Sequence, residues 1–101
     1  MTREERIEQA VFAAVDELNE TLFEDQRLVK SGDTALYGEN GLLDSLGLVN
    51  LIVAVEEQVF DAFDVHLTLA DEKAMSQRHS PFRSLATLCA YIGARLSEHA
   101  L

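Results

Sequence analysis

Behind a Thr2-x-x-Glu5 pair of the capping-box type, Ile7, Val11, Ala14, Leu18 and Leu22 recur at helical spacing. This predicts a first helix from about Thr2 to about Thr21. Leu48, Leu51, Ile52, Val55 and Val59 fall at i, i+3, i+4, i+7 and i+11, the single buried stripe of a second helix that starts at Asp44-Ser45, either of which can cap it. Leu85, Leu88, Cys89, Ile92 and Leu96 form the inward face of a last helix, with Ser84 as its cap and Pro81 near its entry. Between the first two helices, Asp25 to Asp44 has no steady period and holds the turn signals Ser31-Gly32-Asp33, Gly38 and Asn40-Gly41. At roughly 20 residues this connection is longer than structureless loops usually are. Leu28, Leu36, Tyr37, Leu42 and Leu43 are therefore expected to pin it down. Phe63 to Leu69 alternates apolar and polar residues, yet no second run exists to pair with it, and a lone strand is unstable. It reads as an extended connector burying Phe63, Val65, Leu67 and Leu69. Ala70 to Met75 can make one short helical turn, followed by a loop to Pro81. The expected fold is all-α: a four-helix bundle of three main helices plus one short helix, with a long first loop, in a single domain over residues 1–101.

Some residues of the second helix fall off its buried stripe: Leu46, Val49, Asn50, Val53, Glu56, Glu57 and Phe60. A single exposed apolar residue needs no explanation. Leu46, Val49 and Val53 stand at i, i+3 and i+7 beside a serine and are bordered by Glu56 and Glu57. They read equally as ordinary surface and as an apolar contact patch with an acidic rim.

Charge changes the picture further. Acidic residues number 18 against 8 basic ones, for a net charge of −10, and the stretch from Asp16 to Asp64 holds twelve acidic and two basic residues, so it carries the whole imbalance. Nucleic acid and anionic membranes need clustered Lys and Arg and are poor candidates as partners, whereas basic protein surfaces fit and would be steered toward this half. The lone cysteine, Cys89, cannot form an intramolecular disulfide; it suits a reducing compartment and reads as a packed thiol. There is no basic-then-apolar leader and no run of the roughly 20 apolar residues that a membrane span needs. The expectation is a cytoplasmic monomer without membrane insertion.

Candidate chemistry narrows to Asp44-Ser45-Leu46. A serine on the first turn of a helix lies where backbone N–H groups and the positive dipole end favour an anion such as a phosphate. As a catalytic nucleophile, Ser45 would need a base within reach, and His66, His79 and His99 are expected in a connector, a loop and the chain end; no Gly-x-Ser-x-Gly elbow occurs. Calcium-loop, zinc and phosphate-cradling motifs are missing as well.

Leu43-Asp44-Ser45-Leu46 opening a helix that runs through Val53-Ala54-Val55-Glu56-Glu57 resembles the acyl carrier protein family of fatty acid, polyketide and related pathways. The resemblance extends over nearly the whole chain: the amphipathic first helix, the loop ending in Gly-x-x-Asp-Ser-Leu at Gly41 to Leu46, the Phe-Asp-Val-x-Leu connector, and Tyr91-Ile92 in the closing helix. It implies that Ser45 is esterified by 4′-phosphopantetheine, delivered from coenzyme A by a phosphopantetheinyl transferase, and that the arm holds acyl groups as thioesters. The chain would catalyse nothing itself. Asp44 would help the transferase position its metal and coenzyme. Leu46, Val49, Val53, Glu56 and Glu57 match the helix that meets Arg/Lys patches on acyl-loading, acyl-transfer and synthase enzymes. Leu51, Ile52, Val55, Leu85 and Ile92 would line the core in which some carriers shelter an acyl chain. Gly47 and Asn50 replace acidic residues common in fatty acid carriers, and the stretch from Lys73 to Pro81 is longer and more basic than the family pattern. Both departures point to a discrete carrier of a specialised pathway. The alternative from another class is an unmodified interaction domain that keeps the carrier fold.

Overall fold

A computed structural model describes residues 2–36, 43, 45–69 and 82–99, with the backbone alone for Gln26, Ser45 and His99. Helix α1 spans Arg3–Asn19, a 3-10 turn covers Glu24–Gln26, α2 spans Ser45–Phe63 and α3 spans Leu85–His99. Among the described residues there are no strands, as the unpaired alternation at Phe63 to Leu69 predicts. Tyr37, Leu42 and Asp44, the short turn expected at Ala70 to Met75 and the loop to Pro81 lie outside the described residues.

The capping threonine forms as expected: Thr2 Oγ1 accepts the Glu5 N–H at 3.1 Å, and α1 buries Ile7, Ala10, Val11, Ala14, Val15 and Leu18. Helix α1 is the hub. It packs along α2 and, more loosely, on α3, running antiparallel to both: the Arg6 guanidinium at its start donates to the Ala62 carbonyl at the end of α2, and Arg3 donates to Ser97 Oγ at the end of α3. The radius of gyration is 12.7 Å, close to the ~13 Å of a compact chain of this length.

The described part of the first loop is fastened at two places. Asn19 treats Leu28 as a strand partner would: its Oδ1 accepts the Leu28 N–H at 2.8 Å and its Nδ2 donates to the Leu28 carbonyl at 3.0 Å, which holds the Leu28 side chain in the core. Further on, Thr34 and Gly32 carbonyls accept the N–H groups of Leu85 and Ala86, Ala35 bridges Ser84, and Ser84 Oγ accepts the Thr87 N–H. The loop thus caps α3 with its own backbone, meeting the donors that a helix start leaves open. Leu36 and Leu43 are buried, as expected. Because Asn19 satisfies both backbone polar groups of Leu28, Asn19→Ala is expected to lower unfolding stability by about 1–3 kcal/mol. Urea denaturation checks this, and Asn19→Asp, which keeps only the acceptor, should fall between the two.

The whole α2 stripe, Leu48, Leu51, Ile52, Val55 and Val59, is inaccessible to solvent. Two expectations need correction here. Phe63 belongs to α2 rather than to the connector, because the Arg6 guanidinium lies 4.4 Å from its ring centroid and binds the adjacent carbonyl, a cation placed on the negative end of the helix. Asp64, with φ of 56°, then ends the helix in the left-handed region, its N–H reaching the Phe60 carbonyl at 2.8 Å. Of the four residues expected to be buried here, Leu67 and Leu69 are buried but Phe63 and Val65 are only half-buried. In α3, Leu85, Leu88, Ile92 and Leu96 point inward as predicted, with Cys89 half-buried at the margin. Phe82, just ahead of the helix, is fully buried and meets Tyr91 edge-on at 6.0 Å between centroids.

Candidate functional site

Ser45 is the first residue of the 19-residue helix α2. The three helix starts differ in what surrounds them. The first turn of α1 carries Glu4 and Glu5, and the leading N–H groups of α3 are taken up by the first loop and by Ser84. The first turn of α2 contains no acidic residue to oppose an anion. Asp44, expected to assist beside the serine, lies outside the described residues.

From Ser45 the helix presents a second apolar row, on the side away from its buried stripe: Leu46 is 70 % exposed, Val49 41 % and Val53 49 %. A helix apolar on two faces normally buries both. Within the described residues the core takes one face and leaves the other to solvent. The acidic rim divides into two roles. Glu57 is exposed, but Glu56 is half-buried and its Oε2 accepts the Leu69 N–H at 2.7 Å, so it fastens the connector to α2 instead of standing free on a docking face. Beside them Phe60 and His66 stack at 4.0 Å between ring centroids, inclined by 18°. This pair walls a groove of about 370 Å³ that continues from Val53 between α2 and the connector.

Nothing matches. No protein-family model, no characterised protein and no solved structure is significantly similar to this chain. The site therefore stands on its own residues.

Two further large apolar residues, outside the sequence-derived patch, are exposed at the same end of the bundle. With Arg6 beside Ala62 and the helices antiparallel, the end of α1, roughly 20 Å further along, lies at the Ser45 end of α2. Phe23 and Val29, just beyond α1, are 78 % and 69 % exposed. Their signal in the sequence is that neither continues the α1 stripe, which ends at Leu22. The five positions proposed to line an acyl-binding core, Leu51, Ile52, Val55, Leu85 and Ile92, are all fully buried together. Among the described residues no group of three His, Cys, Asp or Glu side chains is arranged to hold a metal ion, and no helix is long and apolar enough to cross a membrane.

Cys89 lies in the groove between α1 and α3. Burial, and after it the Glu8 carboxylate, pushes its thiol up from 9.0 to about 11. At about pH 8 it is therefore protonated and a poor nucleophile. Since the folded state holds this proton more tightly than the unfolded chain, its contribution to stability is complete below pH 9.0 and is lost as pH rises toward about 11. Alkylation by iodoacetamide at about pH 8 should be several-fold slower in the native protein than in urea, where the thiol returns to its ordinary range.

Proposed function

We propose that this chain is an acyl carrier protein: Ser45 Oγ takes a 4′-phosphopantetheine group from coenzyme A through a separate transferase, in a four-helix carrier fold whose short helix would occupy Ala70 to Met75. The observation that carries the reading is the coincidence at one helix start of Asp-Ser-Leu, a first turn free of acidic residues and the exposed row Leu46, Val49 and Val53. The residues present fit the group: a phosphodiester on Ser45 would meet the positive end of the α2 dipole, and no carboxylate of that turn opposes it. The arm supplies a terminal thiol that holds acyl groups as thioesters. Everything else falls to the chain's own residues. Leu46, Val49 and Val53 give partner enzymes an apolar footing, Glu57 gives a charge for their basic patches, and Cys89, kept protonated, does not compete with the arm for acyl groups. Asp44 is assigned the neighbouring role toward the transferase's metal and coenzyme. Gly47 and Asn50, where fatty acid carriers bear acids, favour a specialised pathway.

Incubation with coenzyme A, magnesium and a broad-specificity phosphopantetheinyl transferase tests the reading: one phosphopantetheine mass should be added. No gain, under conditions that modify a control carrier, refutes it. For docking, Glu57 is the informative residue, since changing Glu56 would also release the connector. Glu57→Lys is expected to slow transfer by about threefold to tenfold at low salt, to flatten its salt dependence, and to leave the unfolding midpoint within a few degrees. Equal rates at every salt concentration would remove Glu57 from the docking face.

A further inference from the structure

The groove that begins at Val53, the far end of the apolar row from Ser45, has a chemistry of its own. Phe60 and His66, stacked on each other, line it together with the exposed Val53 and the buried Leu67. Its rim carries two exposed carboxylates, Glu57 and Asp61, four residues apart and hence neighbours along one edge of α2. Among the described residues no lysine or arginine lines this groove. Arg6, on the far side of Asp61, is committed to the Ala62 carbonyl and the Phe63 ring. Glu56 fixes the connector by its bond to the Leu69 N–H and so holds the two walls in register.

We propose that this groove is a docking subsite for a single arginine side chain of a basic partner protein. A guanidinium is planar, stacks on aromatic faces and offers donors in a fork to two carboxylates, while its apolar stem suits the Val53 and Leu67 surface. A lysine ammonium satisfies the charge alone. The net charge of −10 brings a basic surface to this half of the chain, and the row Leu46, Val49 and Val53 leads directly into the groove, so one partner helix can place an apolar residue on Val53 and an arginine beside His66. The identity of the partner as a carrier-dependent enzyme rests on the proposed function; the groove's selectivity does not.

The test uses two acetylated helical peptides with a leucine and a basic residue four positions apart, one with arginine and its twin with lysine, titrated into the ¹⁵N-labelled protein. The arginine peptide should shift the amides of Val53, Glu57, Asp61 and His66, bind about threefold more tightly than the lysine twin, and lose about threefold in affinity on Glu57→Gln, Asp61→Asn or His66→Ala. Glu56→Gln, which keeps an acceptor for the Leu69 N–H, should retain the preference, and Glu56→Ala should lose it. Equal binding of both peptides, or shifts spread evenly over the acidic residues of α1, overturns the proposal. Intact mass after transferase treatment is read on the same samples: arginine selectivity without mass gain leaves the groove standing and removes the carrier reading, and mass gain without selectivity does the reverse.

Discussion

Ser45→Ala is expected to eliminate the proposed phosphopantetheine incorporation entirely while leaving the fold as stable as the parent to within about 0.5 kcal/mol. The first half follows from chemistry. The new phosphodiester needs a hydroxyl oxygen at this position, and alanine has none. Ser84 and Ser97 are occupied elsewhere: Ser84 Oγ accepts the Thr87 N–H at the start of α3, and Ser97 Oγ donates to the Gly93 carbonyl and accepts from Arg3. Neither heads a helix beside an exposed apolar row, so neither should substitute. The second half follows from position. Ser45 is the first residue of α2, and the buried stripe begins three residues later at Leu48. Alanine is the better helix former, so the change removes at most a capping contribution. Intact mass spectrometry and thermal unfolding of the same preparation read both halves. A variant that still gains the mass moves the attachment point elsewhere.

Phe82→Ala should cost about 3–5 kcal/mol, enough to leave a domain of this size partly unfolded at ambient temperature. Phe82 is among the largest fully buried side chains, and its ring meets Tyr91 edge-on at an interplanar angle of 89°. It sits one residue before Arg83, whose carbonyl accepts the Leu36 N–H, and two before Ser84, which bridges Ala35. A cavity here therefore loosens three things together: the entry to α3, the backbone that caps it and the first loop. Phe82→Leu, which refills most of the volume, should recover more than half of the loss. Far-ultraviolet circular dichroism against urea checks both. A cost near that of a surface substitution would mean that α3 is held by its inner face alone.

These effects separate what a one-dimensional pattern reveals from what it hides. The α2 stripe was legible because five apolar side chains at helical spacing leave little choice of face, and all five are inaccessible. The exposed row was legible for the same reason, as its complement. Glu56 was not. Its spacing places it with Glu57 at the edge of the exposed face, and nothing local reveals that its carboxylate meets an N–H thirteen residues away. Asn19 reads as a polar residue at a helix end, yet its side chain organises Leu28 through contacts that exist only once the loop has folded back. The extension of α2 to Phe63 depends on Arg6 of another helix. Phe82 continues the α3 spacing three residues ahead of Leu85 but lies before the helix begins, so the helical pattern alone does not reveal its burial. Local periodicity fixes faces; tertiary partners decide the ends of elements and the use of polar side chains. The serine was visible as a motif, and what α2 adds is its setting: a helix start without acidic residues in its first turn, followed by apolar side chains open to solvent.

The central claim is tested most directly by locating the modification. Purified protein is incubated with coenzyme A, magnesium and a broad-specificity transferase, digested, and its peptides fragmented, with a known carrier treated alongside. The peptide containing Ser45 should carry one phosphopantetheine and release it on fragmentation, and no other peptide should change. An unmodified Ser45 peptide beside a fully modified control would contradict the carrier assignment.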